Sequence, residues 1–329
     1  MRFAPIGAAG QERLGASSVL IVGMGALGAV LASHMVRSGV GLVRFADRDY
    51  VEKSNLQRQM LYDEDDAAAG LPKAVAAQRK LSRINSSVRL EPVVADVTAT
   101  NVEELLAGVD VVLDGTDNFR TRLLLNDACF KHGVPFVYGG AVSSQGMTAV
   151  FVPGETSCLR CLIGSDPDGG GETCDTIGVV SPIVDIVASF QAIEAIKLLV
   201  GAAEARRRGL LSLEIWRHQV FEMKLAPSKP GCPTCGALPS YPSLDSVESE
   251  TTTLCGRETV QVRASRPFDL DRLAERLAPV CAVERNPFLL RATLPEGERL
   301  VLFPDGRTLV QGTEDVVRAK SLYDRYIGG

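Results

Sequence analysis

The chain has 329 residues, 46% of them hydrophobic, and a formal net charge of -5. That length and apolar content support one full-sized domain and a smaller one, while the acidic balance and the absence of Lys/Arg blocks argue against a nucleic-acid or anionic-membrane surface. No apolar run has the form of a secretory core or the length of a membrane span, so the expected setting is the cytoplasm, with proteins and small molecules as partners.

Residues 19–22, Val-Leu-Ile-Val, form a β-branched run ending at Gly23. Residues 26–37 then carry apolar side chains at helical spacing, so the chain opens as strand, turn, helix. A second strand over 42–46 ends on Asp47, a polar loop runs to Asp66, and a helix is predicted over 73–84. Strands at 88–94, 109–113 and 136–137 alternate with helical segments, the pattern of a parallel sheet built from β-α-β units. After Gly146 extended segments at 147–152, 210–215 and 220–225 are expected to join antiparallel, with a long helix over 182–200 between them. Three consecutive glycines within 165–172 predict a loop.

A Pro/Ser-rich passage beginning at Pro239 is read as a linker, 239–256, between a first domain over 1–238 and a small domain over 257–329. In the small domain 259–263, 269–277, 289–294, 299–303 and 316–326 suggest β-α-β-β-α, with no chemical signature. The predicted class is α/β: a doubly wound, Rossmann-like, mostly parallel sheet with an antiparallel extension, plus a small C-terminal α+β domain.

Gly23-Met24-Gly25-Ala26-Leu27-Gly28 is a G-x-G-x-x-G run between strand and helix, where backbone N–H groups and the helix dipole face phosphate. Asp47 follows at the interval at which an acid reaches a ribose hydroxyl. Alone, this pair points to an NAD-dependent oxidoreductase. Arg58 and Lys73 add two cations after the second strand that a nicotinamide dinucleotide does not need. Asp114 and Asp117 lie at the carboxyl end of the fourth strand, where a carboxylate can hold Mg2+. Cations, Mg2+ and a triphosphate make a consistent set.

Four of the eight cysteines form two C-x-x-C pairs, Cys158/Cys161 and Cys232/Cys235. In a reducing compartment that spacing favours a closed, structural four-thiolate Zn2+ site, pinning the turn after Val152 to the segment near Gly231. Cys129 and Cys281 are read as core residues. Cys255 lies in a stretch too short for a sulfurtransferase domain, and His34, His132 and His218 are scattered without partners.

Taken together, Gly23 to Gly28, Asp47-Arg48-Asp49, Ser54-Asn55-Leu56-Gln57-Arg58-Gln59, Lys73, Asp114-Gly115-Thr116-Asp117-Asn118, both C-x-x-C pairs and Cys174-Asp175-Thr176-Ile177-Gly178 resemble the ThiF/MoeB branch of the ubiquitin-activating superfamily, in order across residues 11–238. The resemblance implies that Asp47 binds the ATP ribose with Asp49 as polar support. It further implies that Asn55, Arg58 and Lys73 contact the phosphates, and that Asp117, with Asn118 beside it, coordinates Mg2+.

The implied activity is ATP-dependent adenylation of the C-terminal Gly-Gly carboxylate of a small β-grasp sulfur-carrier or ubiquitin-like protein. The adenylate leads to a thiocarboxylate for thiamine thiazole, molybdopterin or related sulfur transfer, with a sulfur donor as a further partner. A homodimer is implied. In ThiF-like proteins the cysteine matching Cys174 forms a covalent link to the carrier, whereas in MoeB-like proteins activation stops at the acyl-adenylate. Relatives begin with an arginine-bearing arm that reaches the partner subunit's nucleotide; this chain starts at Arg2-Phe3-Ala4-Pro5, and Arg13 is the nearest substitute. Two rival readings remain: a non-catalytic carrier-binding subunit, and the oxidoreductase.

Overall fold

A computed structural model of the chain describes residues 3–164, 177–245, 251–254, 258–264 and 266–328. It divides into two compact units, Met1–Val247 and Glu248–Gly329.

The first unit is built on an eight-stranded sheet in the order β3-β2-β1-β4-β5-β6-β7-β8. Strands β1 (Ser18–Val22), β2 (Leu42–Asp47), β3 (Arg89–Val94), β4 (Val111–Asp114) and β5 (Phe136–Val142) run parallel, whereas β6 (Gln145–Phe151), β7 (Gly209–Glu214) and β8 (Gln219–Lys224) add antiparallel. The central strands read as continuous apolar runs because helices cover both faces of a parallel sheet. Val19, Leu20, Ile21 and Val22 are accordingly all buried.

The helices of this unit are α1 (Gly7–Ala16), α2 (Ala26–Ser38), α3 (Glu64–Ala69), α4 (Lys73–Leu81), α5 (Val102–Leu106), α6 (Phe119–His132), α7 (Leu159–Ile163) and α8 (Ser181–Val200). The last opens with proline in its first turn, where a missing N–H costs nothing. Val187 and Ile183 of α8 lie against Gly146 of β6 so closely that a Cβ at Gly146 would sit 2.3 Å from Val187. Gln191 of α8 donates to the carbonyls of Asp114 (2.9 Å) and Val137 (3.2 Å), locking the helix to the ends of β4 and β5. No described helix is long and apolar enough to cross a membrane.

Strand β5 extends five residues beyond its expected end at Val137, because Gly139 and Gly140 continue in extended backbone and pair with β6. Arg13, the suggested substitute for the nucleotide-reaching arm, donates within this chain from Nη1 to the carbonyl of Val200 at 2.6 Å. It satisfies the C-terminal end of α8, where a cation is favourable.

The second unit contains a six-stranded antiparallel sheet ordered β11-β12-β13-β14-β10-β9, with helices α9 (Leu270–Leu277) and α10 (Val316–Tyr326). Three strands were not legible in the sequence. Strand β9 (Thr251–Leu254) lies within the passage read as linker, and β11 (Ala282–Arg285) is an exposed edge with little apolar content. Strand β14 (Arg307–Gln311) hides its pattern behind polar residues: Arg307 and Thr308 are fully buried. Arg307 is tolerated there because Nε pairs with Asp305 at 2.6 Å and the guanidinium stacks over Phe303. The remaining strands, β10 (Thr259–Arg263), β12 (Leu290–Thr293) and β13 (Arg299–Leu302), fall where the periodicity placed them. Leu273, Leu277, Leu322 and Tyr323 of the two helices share a core with Val260, Leu290, Leu300 and Val310 of the sheet.

Cys129 is fully buried, and burial pushes its thiol far above the ordinary value. Cys281 departs from the core expectation: it is half-buried at the rim of the second unit's core. His132 also departs from its reading as partnerless, since Nε2 lies 2.7 Å from Glu103 of α5.

Candidate active site and four-thiolate cluster

The loop from Gly23 to Gly28 emerges between β1 and β4, the point where strand order reverses and where doubly wound sheets bind ligands. Its glycines do two different jobs. Gly23 has φ +86°, and a Cβ there would meet the Gly115 carbonyl at 2.6 Å. At Gly28 a Cβ would lie 1.8 Å from the Gly23 carbonyl. Gly115 closes the knot, since its own Cβ would lie 2.3 Å from the same oxygen. These three glycines pack backbone on backbone. Gly25 has only Gln59 Nε2 nearby, at 3.8 Å, so it leaves an open approach to the loop's amides at the start of α2.

Asp47, at the end of β2, accepts from the N–H groups of Met24 (2.6 Å) and Asp49 (2.7 Å), fixing the glycine loop to the next strand. Burial lifts its carboxyl above the ordinary value; Lys73 opposes that lift and Asp49 adds to it. Lys73 opens α4, is 2% exposed, and places Nζ 3.3 Å from Asp49. Its backbone N–H donates to the Asp49 carbonyl at 2.9 Å. Tyr62, which the sequence reading overlooked, joins these parts by donating its hydroxyl to the carbonyls of Met24 (2.7 Å) and Lys73 (3.3 Å). Burial, with the charges of Asp47 and Asp66, keeps that hydroxyl protonated. The sequence signal for Tyr62 was only its place three residues after the Arg58-Gln59 pair.

Asn55 is buried, and its Oδ1 accepts from the Glu52 N–H at 3.3 Å, capping the short 3-10 turn Lys53–Asn55. Arg58 follows in the same loop, with Nη1 donating to the Ser54 carbonyl at 3.2 Å.

The aspartate that ends β4 and the one three residues beyond it separate sharply. Asp114 is fully buried and committed: Oδ1 accepts from the Thr116 N–H (2.9 Å) and hydroxyl (2.7 Å), and Oδ2 from Arg122 Nε (3.0 Å). Arg122 in turn donates to the carbonyls of Thr116 (2.7 Å) and Gly139 (3.0 Å). Asp114 therefore shapes the loop that presents Asp117, which is exposed. Asn118 caps α6, its Oδ1 accepting from the Thr121 N–H at 2.8 Å. Cys174 lies outside the described residues, as does Cys255.

The C-x-x-C pairs converge. The four sulfurs of Cys158, Cys161, Cys232 and Cys235 all lie within 4.8 Å of one another, with Cys158–Cys232 at 3.6 Å and Cys161–Cys235 at 3.4 Å. A tetrahedron with Zn–S bonds of about 2.3 Å has sulfur–sulfur edges of about 3.8 Å. The cluster fits that ion. Burial raises the Cys158 and Cys161 thiols. Burial acts the same way on Cys232, but the Cys235 and Thr234 amides, together with hydrogen bonds from the Cys161 and Cys158 side chains, outweigh it and bring that thiol down to about 7.

A glycine loop at the switch point, a buried lysine beside paired acids, an exposed aspartate at the next strand end and a separate cluster of four cysteines that could hold a metal ion mark a doubly wound α/β protein. The ThiF family model matches residues 1–234, and the chain belongs to that family. It is 47% identical to the sulfur carrier protein ThiS adenylyltransferase of Bacillus subtilis over 99% of this chain and 97% of that one. It is 40% identical to the molybdopterin-synthase adenylyltransferase of Escherichia coli K12, over 69% of this chain and 90% of that one. The SAMP-activating enzyme E1 of Haloferax volcanii is 40% identical over 74% and 90%. Among solved structures, E. coli MccB with ATP superposes with a TM-score of 0.60 at 21% identity, covering 69% of each chain, a likeness of fold.

Proposed function

We propose that this chain is an adenylyltransferase that uses ATP to activate the C-terminal carboxylate of a sulfur-carrier protein, and that its carrier is of the kind named for the Bacillus relative. The observation that carries the choice of carrier is the extent of the likeness: 99% of this chain, including the second unit, aligns with that relative, against 69% for the molybdopterin-synthase type.

The residues support the chemistry in a definite way. A carboxylate is ionised at neutral pH, so its attack on the α-phosphorus of ATP needs no general base; it needs alignment and neutralisation of charge. The open amides at Gly25 and the start of α2 receive phosphate, while the interlocked Gly23, Gly28 and Gly115 keep that cradle rigid. Asp47 lies within the same hydrogen-bonded unit and offers its remaining lone pairs to a ribose hydroxyl, with Asp49 holding Lys73 in place. Lys73, with Asn55 and Arg58 from the neighbouring loop, offsets negative charge on the phosphates as pyrophosphate departs. Asp117, at the exposed end of the β4 loop with Asn118 beside it, is the residue to hold Mg2+, which supplies further charge neutralisation. Zn2+ in the four-thiolate cluster serves as a staple, because a site closed by four sulfurs leaves no position for a reacting water. Cys174 is the residue for a later covalent step with the activated carrier. A homodimer acting in the cytoplasm, receiving sulfur from a separate donor, completes the reading.

Incubation with ATP, Mg2+ and a purified Gly-Gly-terminated carrier of the Bacillus kind, followed by intact-mass measurement, tests this directly. A carrier heavier by one AMP is expected. Tight carrier binding without any adenylate would favour the scaffold reading instead.

A further inference from the structure

Asn126 and Asp127 are adjacent on α6, are fully buried, and belong to neither the nucleotide site nor the thiolate cluster. Their hydrogen bonds converge on the two C-x-x-C segments. Asn126 Oδ1 accepts from the Leu159 N–H at 2.8 Å. Asp127 Oδ2 accepts from Arg160 Nη2 at 2.9 Å and from the Ser243 N–H at 2.9 Å, while Oδ1 accepts from the Thr234 hydroxyl. Arg160 Nε also reaches Thr234 Oγ1 at 3.2 Å, and its Nη2 reaches Ser243 Oγ at 2.8 Å.

Leu159 and Arg160 are the two residues between Cys158 and Cys161, and Thr234 lies between Cys232 and Cys235. The carboxylate of Asp127 thus grips the interior of both knuckles, which are 74 residues apart in sequence. A residue so placed sets the distance and rotation of one pair of sulfurs relative to the other. Partners of this outer kind commonly change metal affinity by about 10- to 100-fold when removed.

We propose that Asp127, acting through Arg160 and Thr234, is a positioning residue that assembles the four-thiolate site from its two halves. The metal then meets a nearly formed tetrahedron, and the ordering of two distant knuckles is met by the protein's own polar node. This inference rests on the cluster's binding a metal. A merely stabilising ion pair would move the melting temperature and leave metal affinity and ligand geometry alone.

The test uses the full chain, reduced and stripped of metal, titrated with Co2+ and by competition between Zn2+ and a chromophoric chelator. Thr234→Val removes the hydroxyl at nearly constant volume, and Thr234→Ser retains it. Asp127→Asn is the stronger perturbation, but if it fails to fold, the threonine pair decides. About tenfold weaker Zn2+ binding and an altered Co2+ absorption spectrum are expected for Thr234→Val, with recovery in Thr234→Ser. Affinity within threefold of the parent and an unchanged spectrum in a folded Thr234→Val protein would overturn the positioning role. Failure of the parent itself to bind either ion would remove the metal reading on which it rests.

Discussion

Gly28→Ala and Gly25→Ala separate the two jobs assigned to the glycine loop. A methyl at residue 28 sits 1.8 Å from the Gly23 carbonyl oxygen, about 1.6 Å short of the 3.4 Å at which ordinary contact begins. The obstructing atom is backbone and cannot rotate away. Gly23 is also fixed, because its N–H donates to Ala46 at 2.8 Å and Gly115, against which it packs, donates to Val22 at 2.8 Å. Overpacking of a rigid core costs about 1–3 kcal/mol, and this site belongs at the upper end, about 3 kcal/mol. For a domain of this size that is a fall of roughly 6–12 °C in melting temperature. At Gly25 the nearest atom is 3.8 Å from the added methyl and φ is -74°, so the fold should lose about 1 kcal/mol or less. On the proposed reading, however, the same methyl stands where phosphate approaches, and ATP should bind more weakly. Thermal melts followed by circular dichroism, with ATP titration calorimetry, check both. A Gly28→Ala protein melting within 2 °C of the parent, or a Gly25→Ala protein with undiminished ATP affinity, would refute the assignment.

Lys73→Met keeps the bulk of a 2% exposed side chain but removes the buried cation beside Asp47 and Asp49; a loss of about 3 kcal/mol in urea denaturation is expected, together with weaker ATP binding. Asp117→Ala should fold normally yet abolish adenylate formation at all Mg2+ concentrations, measured as carrier-AMP by mass; retention of Mg2+-dependent activity would move the ion elsewhere. Arg13→Ala removes a charge-assisted hydrogen bond to the end of α8 and should cost about 1 kcal/mol in a melt without lowering the rate of adenylate formation. Cys174→Ala should leave adenylate formation intact and block only the later thiol step, seen as loss of a covalent carrier conjugate on non-reducing gels. Chelation of Zn2+ should lower the melting temperature before it alters ATP affinity, and a metal-free parent by elemental analysis would contradict the staple.

The sequence carried the first sheet well because its signals are local. A β-branched run before Gly23, an acid at the end of β2 and two C-x-x-C pairs each announce themselves within a few residues. Relations across the sheet were not visible. Nothing in Asp114-Gly115-Thr116-Asp117 says that the first acid is sealed against Arg122 while the second is exposed; that division depends on β4 ending beside β1 and on the register of α6 above it. Gly115 reads as a simple turn residue until the Gly23 carbonyl is seen 2.3 Å from where its side chain would begin. Likewise Asp127 looks like an ordinary helical polar residue, and only its convergence with Arg160 and Thr234 reveals the node. In the second unit, buried Arg307 and Thr308 broke the apolar alternation by which β14 would have been recognised.

Whether the chain activates a sulfur carrier is decided by carrier-dependent exchange of radiolabelled pyrophosphate into ATP, run with the thiazole-type and molybdopterin-type carriers side by side. Exchange supported by the thiazole-type carrier, dependent on Mg2+ and lost in Asp117→Ala, is the predicted result. Exchange with neither carrier, by a protein that still binds ATP, would contradict it.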